Sequence, residues 1–458
     1  MSKFLKLMSV LAIVALIAVP AFAEVQNVKV SGDIDSKMIN RSNYDFNNGN
    51  TSDTDTWFMS TARLQVDADL TDNVSTSVRL LNERDWGVES SAAATGTTTE
   101  IAIDLASVKM KEMFYAPLTL IIGRQNIRLG SGLVVGDPDT NDTAVAAANI
   151  FANDLSVRKS FDAVRATLDY NPLVLDILMA KISTGVVLGG GNTNDDINLY
   201  GLNAAYKFNQ YNSEAEAYAI ARIDRNGAAA GATLKTDTTY VYGVRGSLEP
   251  ISKLVVDAEL AIQRGDFAVS STKTMDRSAW AGDIGGSYAI DYKWSPKVAV
   301  RYSYRSGQKQ SGNDADDDTT GTNDYKAWDT MFEDQTHGIV ANQIFNGNND
   351  GVDSNGSTIN VMASVVPVQD LTVAVDYYNF MLAEKWIDLD VTTRTTFNVS
   401  NVRSKKNLGQ ELDLSLGYDY TEDVKLGLTA GFFMPGKTFL KHNNDMASTV
   451  IADVKVSF

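Results

Sequence analysis

The chain has 458 residues and no cysteine, and its 57 acidic side chains outnumber 40 basic ones. Without cysteine there is no disulfide framework and no thiolate metal centre. The acidic balance argues against nucleic acid as a partner, which needs a basic face. Tyr (18) and Phe (17) are plentiful and Pro is only 8, which suits long strands that use every ladder N–H.

The first element is an export signal. Lys3 and Lys6 open the chain, Leu11 to Val19 is apolar, and Ala21-Phe22-Ala23 is a small-x-small cleavage site. Residues 1–23 are therefore expected to be removed, leaving 24–458 as the mature chain. Two lysines go with the signal, so the mature chain carries 38 basic against 57 acidic residues, a net charge of −19. No helix-length apolar segment follows, so nothing here spans a bilayer as a helix.

The rest alternates with period 2. In 62–70, Ala62, Leu64, Val66, Ala68 and Leu70 point one way and Arg63, Gln65, Asp67 and Asp69 the other. In 410–420, Leu412, Leu414, Leu416, Tyr418 and Tyr420 alternate with Glu411, Asp413, Ser415, Gly417 and Asp419. The pattern predicts strands at 26–39, 58–70, 74–84, 101–113, 117–129, 160–170, 173–183, 197–208 and 213–224. It continues at 238–249, 253–264, 279–293, 297–306, 357–367, 370–383, 408–421, 424–434 and 447–458.

Tight turns follow the even strands: 71–73, 114–116, 171–172, 209–212, 250–252, 294–296, 368–369 and 422–423. Long polar connections follow the odd ones: 40–57, 85–100, 130–159, 184–196, 225–237, 265–278, 307–356, 384–407 and 435–446. A soluble sandwich also alternates but has no reason to keep this rhythm. An even strand count with short turns at one end and long loops at the other is the pattern of an all-β transmembrane antiparallel barrel in the bacterial outer membrane. Aromatics near the short turns (Phe114, Tyr170, Phe208, Tyr292, Trp294, Tyr420, Phe458) form the expected periplasmic girdle. The strand ending in Phe458 is also the expected contact for the outer-membrane assembly machinery, and lipid is the expected surroundings.

Inward parity at mid-strand selects Arg63, Arg79, Arg165, Arg245 and Arg301 as pore-lining cations. It selects Asp67, Glu216, Glu259, Asp283 and Asp413 as pore-lining acids. Cations crowded in a narrow opening favour anions; the same charges could instead pair across strands and brace the wall. Loops 130–159 and 307–356 could gate the outer mouth. Asp314 to Asp318 lie in the second loop, but their spacing does not match an EF-hand, and no metal or other cofactor is implied. The two histidines, His337 and His442, fall in loops without a Gly-x-Ser-x-Gly elbow, so no catalytic residue is expected.

The run Gly123-Arg124-Gln125, taken with Phe161-Asp162 and Arg165, resembles the alginate-export porin family. So do Leu408-Gly409-Gln410-Glu411-Leu412-Asp413-Leu414 with Gly431-Phe432-Phe433-Met434-Pro435-Gly436, and more weakly Met331 to Gly338. The resemblance implies an eighteen-stranded monomeric barrel passing an anionic polysaccharide through an arginine-lined constriction, with Arg124, Gln125, Phe161, Asp162 and Glu411 as motif residues. Parity at Arg124 is open, because Leu120, Ile121 and Ile122 make both faces apolar just before it. The alternatives are a general or cation-preferring small-solute porin, favoured by the inward acids, and a plugged structural or adhesion barrel.

Overall fold

In a computed structural model the described residues are 27–47, 53–87, 101–139, 152–184, 196–225, 235–269, 273–309, 324–345, 352–386, 404–439 and 444–458. The expected signal (1–23), His442 and the acidic stretch 313–318 lie outside them. Eighteen antiparallel strands form one closed sheet. They are β1 (Asn27–Ser42), β2 (Thr54–Thr71), β3 (Val74–Asp85), β4 (Ala102–Lys111), β5 (Leu118–Asn126) and β6 (Ser160–Asp169). Next come β7 (Leu173–Ser183), β8 (Ile197–Phe208), β9 (Ser213–Asp224), β10 (Asp237–Ile251), β11 (Leu254–Ala268) and β12 (Thr274–Ala289). The last six are β13 (Lys297–Arg305), β14 (Gly356–Val368), β15 (Leu371–Leu382), β16 (Asn407–Asp419), β17 (Val424–Pro435) and β18 (Ala447–Ser457). Each strand pairs with its sequence neighbours, and β1 closes the ring on β18 from Asp33↔Ser457 to Ser42↔Ser448. Closure removes the sheet edge, which a membrane would leave without hydrogen-bond partners.

The strand ends differ from the sequence reading at both ends of the barrel. β1 and β2 run past the apolar pattern because polar side chains bond across the ladder, as in Asn40 to Thr56 (2.7 Å) and Ser42 to Thr54 (2.8 Å), and β11 and β12 do so where Phe267 and Met275 pack with Tyr325. β5 stops at Asn126 rather than 129, because Ile127 and Leu129 turn inward and are buried. β12 stops at Ala289, so Tyr292 and Trp294 stand exposed in a wider turn. All seven aromatics assigned to the short-turn end are exposed, as an interfacial girdle requires.

The outer face is apolar: Val28, Val30 and Ile34 on β1 are exposed, and on β13 exposed Val300 and Tyr302 alternate with half-buried or buried Ala299, Arg301 and Ser303. The inner face is not uniformly polar. Across β6–β12 its extracellular half carries Phe161, Leu178, Leu199, Ile220, Val241 and Ala261, all buried. They pack against loop residues Leu133, Val135, Trp328, Met331 and Phe332, so the largest core among the described residues lies inside the barrel, between wall and loops. A second cluster, with Phe46, Phe345, Phe380, Phe433 and Phe439, closes the loops over β15–β18. A single helical turn, α1 (Ala341–Ile344), belongs to it.

Candidate functional site

The candidate site is the lumen where it is narrowed by two loops, one after β5 (127–139) and one after β13 (324–345). They form a second layer joined by backbone bonds: Gly136 N–H to Phe332 O (2.7 Å), Phe332 N–H to Val134 O (3.0 Å) and Asp334 N–H to Gly132 O (2.8 Å). Gly130 (φ +58°) and Gly132 (φ +84°) give the first loop its left-handed turns. Both were expected at the outer mouth; the structure seats these described segments inside the wall, because each carries apolar residues that match the apolar inner patch.

Wall carboxylates fasten the loops. Glu216 accepts from Gly130 N–H (3.0 Å), and Glu259 accepts from Ser131 N–H (2.8 Å) and from the Tyr218 hydroxyl (2.6 Å). On the far side Glu411, fully buried, accepts from Val340 (2.7 Å) and Ala341 (2.8 Å) N–H, and Asp413 accepts from Ile339 N–H (3.2 Å). Asp283 takes Arg305 at 3.1 Å and Gln335 at 3.2 Å, and Gln335 also reaches the Ser131 hydroxyl (2.8 Å), which ties the loops together. Asp67 accepts from Gln65 (2.8 Å) and Ser77 (2.5 Å). Four of the five inward acids expected to line the pore, together with the motif residue Glu411, thus act on the inner layer or on its neighbours.

The five inward arginines stand on the inner face, each beside a carboxylate: Arg63 with Asp33 (2.7 Å), Arg79 with Asp104 (2.5 Å) and Arg165 with Asp176 (2.9 Å). Arg301 meets Asp257 at 2.8 Å, and Arg245 meets Glu216 at 3.7 Å. Asp104 is aimed at Arg79 by a bulge: Arg79 pairs with Leu105 and Leu80 with Ile103, so Asp104 drops out of the ladder and inward. Arg301 reaches two strands away because Gly285 lies between; a Cβ there would sit 2.9 Å from its guanidinium carbon.

Sequence reasoning missed Arg128 and Lys159. Both side chains bond Asp334, where the two loops meet, and both stay well exposed (49% and 40%). Two cations share one carboxylate there. The signal that could have found them is their position beside the family motif: Lys159 directly precedes β6, and Arg128 lies two residues past the end of β5. Of the motif residues, Gln125 and Phe161 are buried on the inner side, with Gln125 donating to the Ala163 carbonyl (3.0 Å). Arg124 and Asp162 turn the other way and pair outside (3.1 Å), next to exposed Ile122 and Val164.

In the loop layer, burial pushes the His337 imidazole down to about 4, helped by Arg305 and opposed by Asp283. Burial would raise the Asp329 carboxyl, but Arg222 and Arg277 hold it at about 2. Arg222 and Asp329 meet at 2.6 Å and anchor the loop to β9. Among the described residues, no group of three or more His, Asp or Glu is arranged to hold a metal ion.

The sequence model of the family described as "Alginate export" matches residues 29–453. No curated protein sequence matches the chain. Its fold is similar to that of solved Pseudomonas barrels. The BenF-like porin from Pseudomonas fluorescens Pf-5 has TM-score 0.55 and 13% identity, covering 95% of this chain and 100% of that one. OccK2 (OpdF) from Pseudomonas aeruginosa, solved with glucuronate, has TM-score 0.53 and 11% identity over 95% and 99%. OpdK from the same organism, solved with vanillate, has 0.54 and 11% over 95% and 99%.

Proposed function

The chain belongs to the alginate export family, and on that premise we propose that this outer-membrane channel passes an anionic solute or acidic polysaccharide passively, without catalysis. The observation that supports an anionic cargo is the pair of exposed cations, Arg128 and Lys159, that share the single carboxylate of Asp334 where the loops meet. In a low-dielectric opening exposed cations attract carboxylates and repel cations. The five wall arginines, each beside its own acid, would steady the field around that point rather than supply it. His337, neutral and buried against Arg305 and Asp283, is read as a packing residue rather than a general base.

One observation favours the cation-preferring alternative. Glu259 accepts from neutral donors, the Ser131 N–H and the Tyr218 hydroxyl, so its charge is not cancelled by a bonded cation.

The reversal potential of the reconstituted channel under a salt gradient separates the two. Anion preference that drops in Arg128→Ala/Lys159→Ala, and less in Arg165→Ala/Arg301→Ala, is the expected result. Cation preference in the unaltered protein would leave the channel standing and remove the anionic cargo. Glucuronate and vanillate, the ligands in OccK2 and OpdK, are natural first probes of current block.

A further inference from the structure

The motif pair Arg124–Asp162 takes no part in the lumen, which leaves its place on the outside of the wall to be explained. The ladder sets Arg124 opposite Asp162 and Asp162 opposite Lys181, three charges abreast on β5, β6 and β7. Each stands two residues from the extracellular end of its strand. Arg124 makes two bonds to Asp162 (both 3.1 Å) and one to the Ile103 carbonyl (2.9 Å). Lys181 donates to Asp196 (2.5 Å) and Asn198 (3.0 Å). All three side chains stay exposed (36%, 58% and 37%). Charge on a lipid-facing surface is costly at membrane depth, so this row belongs at the level of lipid head groups.

One same-face step down each strand, about 7 Å, the surface changes to Ile122, Val164, Met179 and Tyr200. There the wall is hollowed by an apolar groove of about 560 Å³ across β6–β10. Small residues (Ala166, Gly201, Ala219 and Ala221) make its floor, and Met179, Tyr200, Tyr240 and Tyr242 rise around it. A charged row at the extracellular boundary directly over an apolar groove has the layout of one amphiphile, head above and chains below.

We propose that this surface binds lipopolysaccharide, with an acyl chain in the groove and a lipid A phosphate against Arg124 and Lys181. Asp162, exposed between the two cations, then accepts from the sugar hydroxyls. The row stands at the extracellular ends of the strands and so meets the outer leaflet. A phosphorylated sugar head offers acceptors to both cations and several hydroxyl donors to the carboxylate, more than a glycerol phosphodiester carries. The site is independent of what passes through the lumen.

The test is the melting temperature of the detergent-solubilised protein with purified lipopolysaccharide and, separately, with phosphatidylglycerol. Lipopolysaccharide is expected to raise it by several degrees, with most of the rise lost in Arg124→Gln/Lys181→Gln and in the groove-filling Ala219→Phe. No rise, or an equal rise in the variants, overturns the proposal, and an equal rise with phosphatidylglycerol makes the occupant a phospholipid instead. Cross-linked dimers from Met179→Cys in native membranes would mean that a second copy covers the groove. If the double variant fails to fold, judged by its heat-modified gel mobility, Lys181→Gln and Ala219→Phe carry the same comparison.

Discussion

The inner layer should be separable from the wall that holds it. In Glu216→Ala/Glu259→Ala two loop donors lose their acceptors, Gly130 N–H and Ser131 N–H, while the Tyr218 hydroxyl loses its partner within the wall in either loop state. A buried donor left unpaired costs about 1–3 kcal/mol, so the low end for the two loop donors is about 2 kcal/mol. That shifts the ratio of docked to released loop by about thirtyfold or more. Leu133 and Val135 still favour docking, so the expected picture is a loop that opens part of the time rather than one that is lost. Single-channel recordings should show a larger, noisier conductance, and limited proteolysis should gain a cut within 127–139 while the barrel keeps its heat-modified mobility. Conductance and cleavage both unchanged would mean that the carboxylates do not hold the loop, and the fastening argument would be wrong.

The buried histidine gives a pH prediction. Its folded pKa of about 4 lies below the usual 6.5, so as pH falls the unfolded chain takes up the proton first. Its contribution is complete above pH 6.5 and is lost between 6.5 and 4, about 3 kcal/mol in all. His337→Gln should flatten that part of the stability profile measured by denaturant unfolding in detergent; an unchanged slope would place the proton elsewhere. Glycine substitutions give a matched pair. A Cβ at Gly243 would lie 2.1 Å from the ring of buried Tyr218, so Gly243→Ala should cost about 1–3 kcal/mol through overpacking. Gly417 has no atom within 4 Å of a Cβ, so Gly417→Ala should melt like the parent. Equal losses at both would show that backbone freedom, not space, is what these glycines provide.

The barrel was legible because each strand repeats the same two-residue rule, and a tight turn fixes the register of each hairpin. The same rule underlies the parity assigned to the five arginines. Their partners were harder. Arg165 and Asp176 sit in one hairpin, joined by three residues, but Arg245 and Glu216 face each other across a long loop that leaves the register open. The inner layer was missed although its traces were present. Leu133-Val134-Val135 is an apolar run in a connection otherwise read as polar, and Leu178-Met179-Ala180 is apolar at both parities. A strand apolar on both faces needs lipid on one side and protein on the other. The same ambiguity hid the side on which Arg124 stands, since Ile121 faces in and Ile122 faces out.

The way the loops are held has a consequence for how such a channel can change. Much of the fastening is done by side chains of the wall gripping main-chain N–H groups of the loops, at Gly130, Ser131, Ile339, Val340 and Ala341. Every residue except proline supplies that group. Loop side chains that face the opening are therefore free to vary without loosening their attachment, while the acids on the strands are not. The eighteen strands serve as a standard socket, and the aperture is an insert that can be rewritten a few residues at a time.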